Sequence, residues 1–198
     1  MLKNQEIRRF KEGKDKQKSH SYLQQKYKKA VEHGFYFEAL MISYNLVEDR
    51  LIALLHYAGI VSRDADDLCV TKKSRPYIRA LLSKSAVQRI NIKNISVKID
   101  ILRKICQSEL CDEFISAVKE QFNNTLDIPG FITILDDCDV WKDTRNKYVH
   151  CLANRDPRDV EALAEEMAVE GHKIARLLDN CVGQFSKKNN IRKKFRIQ

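Results

Sequence analysis

The stretch PGFITILDDCDVWKDTRNKYVHCL, residues 129–152, carries the clearest helical signature of the chain and its clearest anomaly. Asp127 followed by Pro129 marks a helix start. Phe131, Ile134, Leu135, Cys138, Trp141, Tyr148, Val149 and Leu152 then recur at i, i+3, i+4, i+7 spacing and define one apolar stripe. At about 100° per residue, Arg145 falls near the middle of that stripe. Asn146 and His150, four residues apart, share a neighbouring face. Arginine cannot shed its proton to escape burial, so it requires a carboxylate, a phosphate or a water-filled opening.

Reading outward, Asp156-Pro157-Arg158-Asp159 is a capping signal with proline at the first helical position. Val160, Leu163, Met167, Ile174, Leu177, Leu178, Cys181 and Phe185 follow on one face, weakened at Gly171. Asn154 and Arg155 therefore occupy a tight connection, and 129–185 is predicted to form an antiparallel helical hairpin. Upstream, Phe37, Leu40, Met41, Tyr44, Val47, Leu51, Leu54, Leu55 and Ala58 predict a core helix over roughly 20–58 ending at Gly59. Residues 63–67 read as a loop and 72–85 as a short basic helix with Pro76 in its first turn. Ile95, Ile99, Leu102 and Ile105 predict a further helix, with a strand or a loop open around Ile90 and Ile92. Leu110, Phe114, Val118 and Phe122 continue the helical spacing.

Composition agrees with an all-α class: 198 residues suit a single domain, and six glycines, three prolines and 32% charged residues argue against a turn-rich β fold. The expected organisation is a basic extension over 1–18, a helical domain over 19–186 and a basic tail over 187–198. No run approaches the roughly 20 apolar residues of a membrane span, and the N-terminal segment lacks an apolar signal core, so a cytoplasmic location is expected. Cys69, Cys106, Cys111, Cys138, Cys151 and Cys181 form no C-x-x-C pair and no zinc-finger spacing with histidine. They are expected to be free thiols in a reducing compartment.

The net charge of +9 is segregated. Residues 1–29 hold ten Lys/Arg against three acids, 71–104 ten against one, and 183–198 six against none. These stretches together carry +22, leaving −13 for the rest. Such basic surfaces suit a phosphate backbone, while lysine-rich tails also occur simply as solvated segments.

The order of a long N-terminal helix, shorter inserted helices, and Trp141-Lys142-Asp143-Thr144-Arg145-Asn146-Lys147-Tyr148-Val149-His150 before a capped C-terminal helix resembles the HEPN superfamily. That family's hallmark is Arg, four to six residues, then His, often with Asn directly after the Arg. Arg145, Asn146 and His150 match at the four-residue spacing. The likeness spans roughly 20–185 in helix order, but is sharp only at these three positions. It implies an all-α HEPN-like bundle and a metal-independent endoribonuclease, commonly a homodimer whose two motifs meet in one cleft. It implies no metal and no cofactor, with RNA as substrate and an antitoxin or other regulatory protein as a further partner. Stress response, phage defence and RNA processing are the settings it suggests.

Cleaving RNA through its own 2′-hydroxyl needs a base, an acid and positive charge on the phosphorane. Histidine titrates near neutrality, arginine offers a charged fork to phosphate, and Asn146 can orient the imidazole or donate. Lys72, Lys73, Arg75, Lys142 and Lys147 are the candidate RNA contacts. In the subgroup paired with nucleotidyltransferase antitoxins, a modified Tyr lies two residues after the His. Here that position is Leu152, which weighs against that pairing. The family also contains non-catalytic RNA-binding or protein-binding adaptors, so Arg145 has a second reading as a structural charge paired with Glu48 or Asp49. Stacking of its guanidinium on Trp141 is a further expectation. P-loop, dinucleotide-binding, metalloprotease and nucleophile-elbow motifs are absent, and Asp136, Asp137 and Asp139 read as a solvated acidic face.

Overall fold

The computed structural model describes residues 13–62, 68–85, 89–109, 112–151, 156–188 and 191–197; for positions 13–17, 150, 151, 157 and 188 only the backbone is described. Among these, eight helices and one minimal hairpin follow in the order α1 (Gly13–Glu32), α2 (Tyr36–Tyr57), β1 (Val61–Ser62), β2 (Cys69–Val70), α3 (Arg75–Leu81), α4 (Ile95–Gln107), α5 (Glu113–Asn123), α6 (Ile128–Cys151), α7 (Pro157–Lys188) and α8 (Ile191–Lys194). The protein is all-α, and none of the helices is long and apolar enough to cross a membrane.

The single helix expected over 20–58 is two. Gly34 takes φ +72, a left-handed conformation that reverses the chain between α1 and α2. The apolar periodicity that begins at Phe37 belongs to α2 alone, whereas α1 is mostly polar and starts at Gly13, upstream of the expected boundary at 18/19. The short pairing of Val61 with Val70 and Ser62 with Cys69 flanks residues 63–67, whose predicted loop lies outside the described residues. Around Ile90 and Ile92 the chain is neither helix nor strand. Leu110, Cys111 and the 152–155 connection also lie outside the described residues.

Partner pairs fix the helix directions. Tyr148 Oη donates to the carbonyl of Val160, and Trp141 Nε1 to that of Met167 at 2.8 Å. Both pairs are equidistant from position 154, which defines α6 and α7 as the expected antiparallel hairpin. Asp156 Oδ1 accepts from the Arg158 amide at 2.9 Å and starts α7. Ser43 Oγ donates to the Ala168 carbonyl at 2.9 Å and Arg50 meets Asp179 at 2.6 Å, so α2 runs parallel to α7. In α4, Arg103 faces Asp136 and Lys142 faces Ser96, which makes α4 antiparallel to α6. The tail expected over 187–198 contains α8, whose Ile191, followed by Phe195, is buried in the core.

Gly171 does not interrupt α7. A Cβ there would meet Trp141 Cζ2 at 2.3 Å, Trp141 Cε2 at 2.7 Å and Ser43 Cβ at 3.1 Å. The missing side chain lets the indole of α6 sit directly on the α7 backbone. Burial pushes the Cys106 and Cys138 thiols up to about 12 and the Cys181 thiol to about 11, so all three remain protonated packing groups at neutral pH.

Where α1 crosses α7, His172 stacks on Tyr27 with centroids 4.0 Å apart and donates from Nε2 to Gln24 Oε1 at 2.7 Å. Gln24 Nε2 lies 3.5 Å from His20 Nε2. Desolvation lowers both imidazoles below their ordinary range. Arg50 lowers His20 further against opposing Asp179 and Asp49, while Arg176, Lys28 and His20 lower His172.

Two stability measurements check these contacts. Gly171→Ala should lose about 2 kcal/mol in urea unfolding through overpacking, outweighing alanine's better helix propensity of about 1 kcal/mol. The loss should vanish when Trp141→Leu removes the opposing ring. For the histidines, the depressed folded values mean that their contribution is complete above about pH 6.5 and is lost as the pH falls from there through the folded values. The melting temperature should therefore fall on acidification across that window, and His172→Phe, which keeps a ring on Tyr27, should reduce the slope.

Candidate functional site

Arg145 lies in α6, one turn beyond Trp141, on the side that α2 covers. Its guanidinium carbon sits 4.5 Å from the centroid of the Tyr44 ring, so the expected aromatic partner Trp141 is replaced by Tyr44, which itself packs 6.3 Å from the indole. Nη1 donates to Asn146 Oδ1 at 3.2 Å and Nη2 faces Met41 Sδ at 3.2 Å. Nε is buried without a hydrogen-bond partner among the described residues. Burial, then the Glu48 charge, raises the Tyr44 phenol above its ordinary value, with Arg145 and Lys142 opposing. The ring consequently stays neutral and offers the cation a π face.

The carboxylates considered for Arg145 are engaged elsewhere. Glu48 accepts from the fully buried Lys98 at 2.7 Å, and Asp49 pairs with Arg50 on its own helix. Among the described residues no carboxylate pairs with Arg145, so a structural ion pair with Glu48 or Asp49 does not account for it. Asn146, half-buried, is drawn into the site through the guanidinium. His150 occupies the last turn of α6 by its backbone, one turn after Asn146; its side chain lies outside the described residues.

The lysines separate sharply. Lys142 is only 5% exposed, and its ammonium meets Asp139 at 2.7 Å, Ser96 Oγ at 2.7 Å and Asp143 at 3.1 Å. Desolvation would lower it, but the hydrogen bonds to Asp139 and Asp143 prevail and raise it, so it is a locked cation joining α6 to α4. Lys147 is exposed on the same helix. Lys72 and Lys73 are exposed at the turn before α3, where Lys73 Nζ donates to the Phe195 carbonyl and lies over that ring. Arg75 Nη2 donates to the Val70 carbonyl at 3.3 Å. These three belong to the hairpin and α3, separate in the chain from the α6 motif. Asp136 and Asp139 pair with Arg103, and no group of three potential metal ligands exists among the described residues.

Beside the motif, Tyr148 holds α6 to α7 and borders a cleft of about 420 Å³ between the 34–38 turn and Val160, Glu161 and Ala164. Phe35 and Phe37 stand on this cleft 59% and 45% exposed. Sequence spacing assigned Phe37 to the core and Tyr44 to packing alone. Periodicity placed Met41 and Tyr44 on one face of their helix, but nothing in the sequence linked that face to Arg145.

No family model matches the chain, and neither a curated protein nor a solved structure matches it.

The contrast between the two lysines of α6 is measurable. Lys142→Met should cost about 2 kcal/mol in urea unfolding because charge-assisted hydrogen bonds to Asp139 and Asp143 disappear from a buried position. Lys147→Met should stay within about 0.5 kcal/mol of the parent.

Proposed function

We propose that the protein is a metal-independent endoribonuclease of HEPN type, with Arg145, Asn146 and His150 as its catalytic set and a homodimer as its working form. The observation that carries this reading is the arginine. A permanently charged side chain, half-buried in α6, has a π face and an amide as partners but no carboxylate among the described residues, and one buried N–H lacks any acceptor. An incoming phosphate supplies the missing anion.

In the reaction, the 2′-hydroxyl attacks the adjacent phosphorus and the bond to the 5′ oxygen breaks. One imidazole removes the hydroxyl proton and another protonates the leaving oxygen, while the guanidinium neutralises the phosphorane oxygens. Each chain contributes one His150. A two-fold dimer brings in the second without a second motif. The exposed Phe35 and Phe37 beside Tyr148 support such an interface. Glu38 and Glu161 in the same cleft make it a poor path for RNA and a better protein contact.

Labelled RNA incubated with the full chain in EDTA is the test. Cleavage should persist without divalent metal and fall by about 10²–10⁴ in His150→Ala. Arg145→Lys should also lose activity, because an ammonium lacks the fork, while remaining folded. Activity equal in all three proteins sinks the assignment. A folded, RNA-binding protein that cleaves nothing would identify an adaptor, with Arg145 as a packing cation. Light scattering at micromolar concentration should give the mass of two chains.

A further inference from the structure

A second basic site lies away from the α6 motif, between β2, α3 and the turn that leads into α4. It is a cavity of about 340 Å³, within the range of sites that hold small molecules. Val70 and Ile92 give it an apolar floor, and Arg75, Arg79, Arg89 and Lys93 line it with four cations. No carboxylate lines it among the described residues. The three arginines stay charged under all ordinary conditions, so together they attract an anion. Arg79 adds a specific vacancy for an acceptor: its Nε is buried without a hydrogen-bond partner among the described residues.

The walls are rigidly held. The hydroxyls of Ser74 and Thr71 meet at 2.7 Å and lie 3.0 Å from the Ile60 and Gly59 carbonyls respectively; one donates to the other, which donates to its carbonyl, and the cluster fixes the start of α3 on the end of α2. Arg75 is steadied by the Val70 carbonyl. Across the cavity, the buried Lys98 ammonium donates to the Lys93 carbonyl at 2.9 Å while paired with Glu48. Arg75 and the backbone that carries Lys93 are therefore held in place before any ligand arrives.

We propose that this cavity is a phosphate-binding site, with Arg79 and Arg89 as its principal donors, taking a phosphoryl group carried by a mononucleotide or by an RNA backbone. In the RNA arm the proposal deepens the RNA reading above; in the nucleotide arm it is independent of it.

Calorimetric titration of the full chain with inorganic phosphate, with AMP and with a ten-nucleotide RNA tests it. The RNA titration uses His150→Ala, so that loss of cleavage and loss of binding are read separately. Arg79→Gln and the surface variant Arg89→Gln should each weaken binding at least tenfold. A loss confined to AMP and phosphate supports the site with a free nucleotide as source. A loss confined to RNA supports it with the backbone as source and lowers the salt dependence of RNA affinity by about one ion per arginine. Absence of binding by all three probes, or RNA affinity unchanged in both variants with no AMP or phosphate binding, overturns it. Arg89→Gln keeps the test decisive if Arg79→Gln fails to fold.

Discussion

The seat of the Trp141 indole on Gly171 is the contact on which the rest of the structure depends. It joins three helices at one point: the ring belongs to α6, the bare backbone to α7, and Ser43 of α2 closes the third side. Two successive carbonyls of α7 are used there, Met167 by the indole N–H and Ala168 by the Ser43 hydroxyl. A carbonyl has two lone pairs, so each can take such a donor without surrendering its helical bond. Because α6 cannot slide along α7 without lifting the ring off the glycine, the axial position of everything downstream on α6 is set. One turn later Arg145 meets Tyr44, and one further turn places position 148, where the hydroxyl of Tyr148 reaches α7 again. The catalytic set proposed here is thus positioned by packing that lies outside it.

Buried cations divide into two populations, and the division carries more information than their number. Lys98, Lys142 and Arg50 each leave water with carboxylates in reach, and each ties two helices together: α4 to α2, α6 to α4, and α2 to α7. A lysine that is fully buried, as Lys98 is, would be strongly destabilising without its acid. Arg145 and Arg79 differ in lacking any carboxylate partner among the described residues: all three arginines keep a buried Nε without an acceptor there, but only Arg50 has Asp49 and Asp179 on its other nitrogens. A buried cation without a counter-charge is costly in a low-dielectric setting, which is why these two arginines, rather than Arg50, call for an anion from outside the chain.

Helix positions were legible in the sequence wherever one face is apolar and the ends carry caps. The α6 stripe, the Asp156-Pro157 start of α7 and the spacing of Ile95, Ile99, Leu102 and Ile105 reappear as packed elements. What was not legible depends on tertiary partners. Gly34 lies inside the span read as one helix over roughly 20–58, and only its positive φ reveals the reversal between α1 and α2. Gly171 looks like a weak point until the indole is placed against it. Ile191 and Phe195 sit among lysines and arginines, so local composition describes a solvated tail, whereas their side chains fill the core. At the α6 motif the sequence identified the misplaced arginine but offered Glu48, Asp49 and Trp141 as neighbours. The choice of Tyr44 and Met41 depends on how α2 docks, which periodicity alone does not encode. Lys142 and Lys147 are both lysines on one helix, and only the approach of α4 makes one a structural ion pair.

Charge segregation gives the molecule two chemically different ends. Around the 34–38 turn, Glu38 and Glu161 share a cleft with exposed aromatic rings, and a hydrogen bond from Tyr36 to Glu165, reinforced by that carboxylate's charge, holds the phenol above its ordinary value. Phosphate is repelled from such a surface, whereas apolar rings rimmed by acids suit a protein partner. Around α3 the arrangement is inverted, with arginines over an apolar floor. In the nuclease proposed above, RNA would be excluded from the aromatic cleft and drawn toward the basic side, so that the two surfaces act together. In that reading the acidic end would hold a second protomer beside Tyr148, and the basic end would orient the strand whose phosphate Arg145 receives.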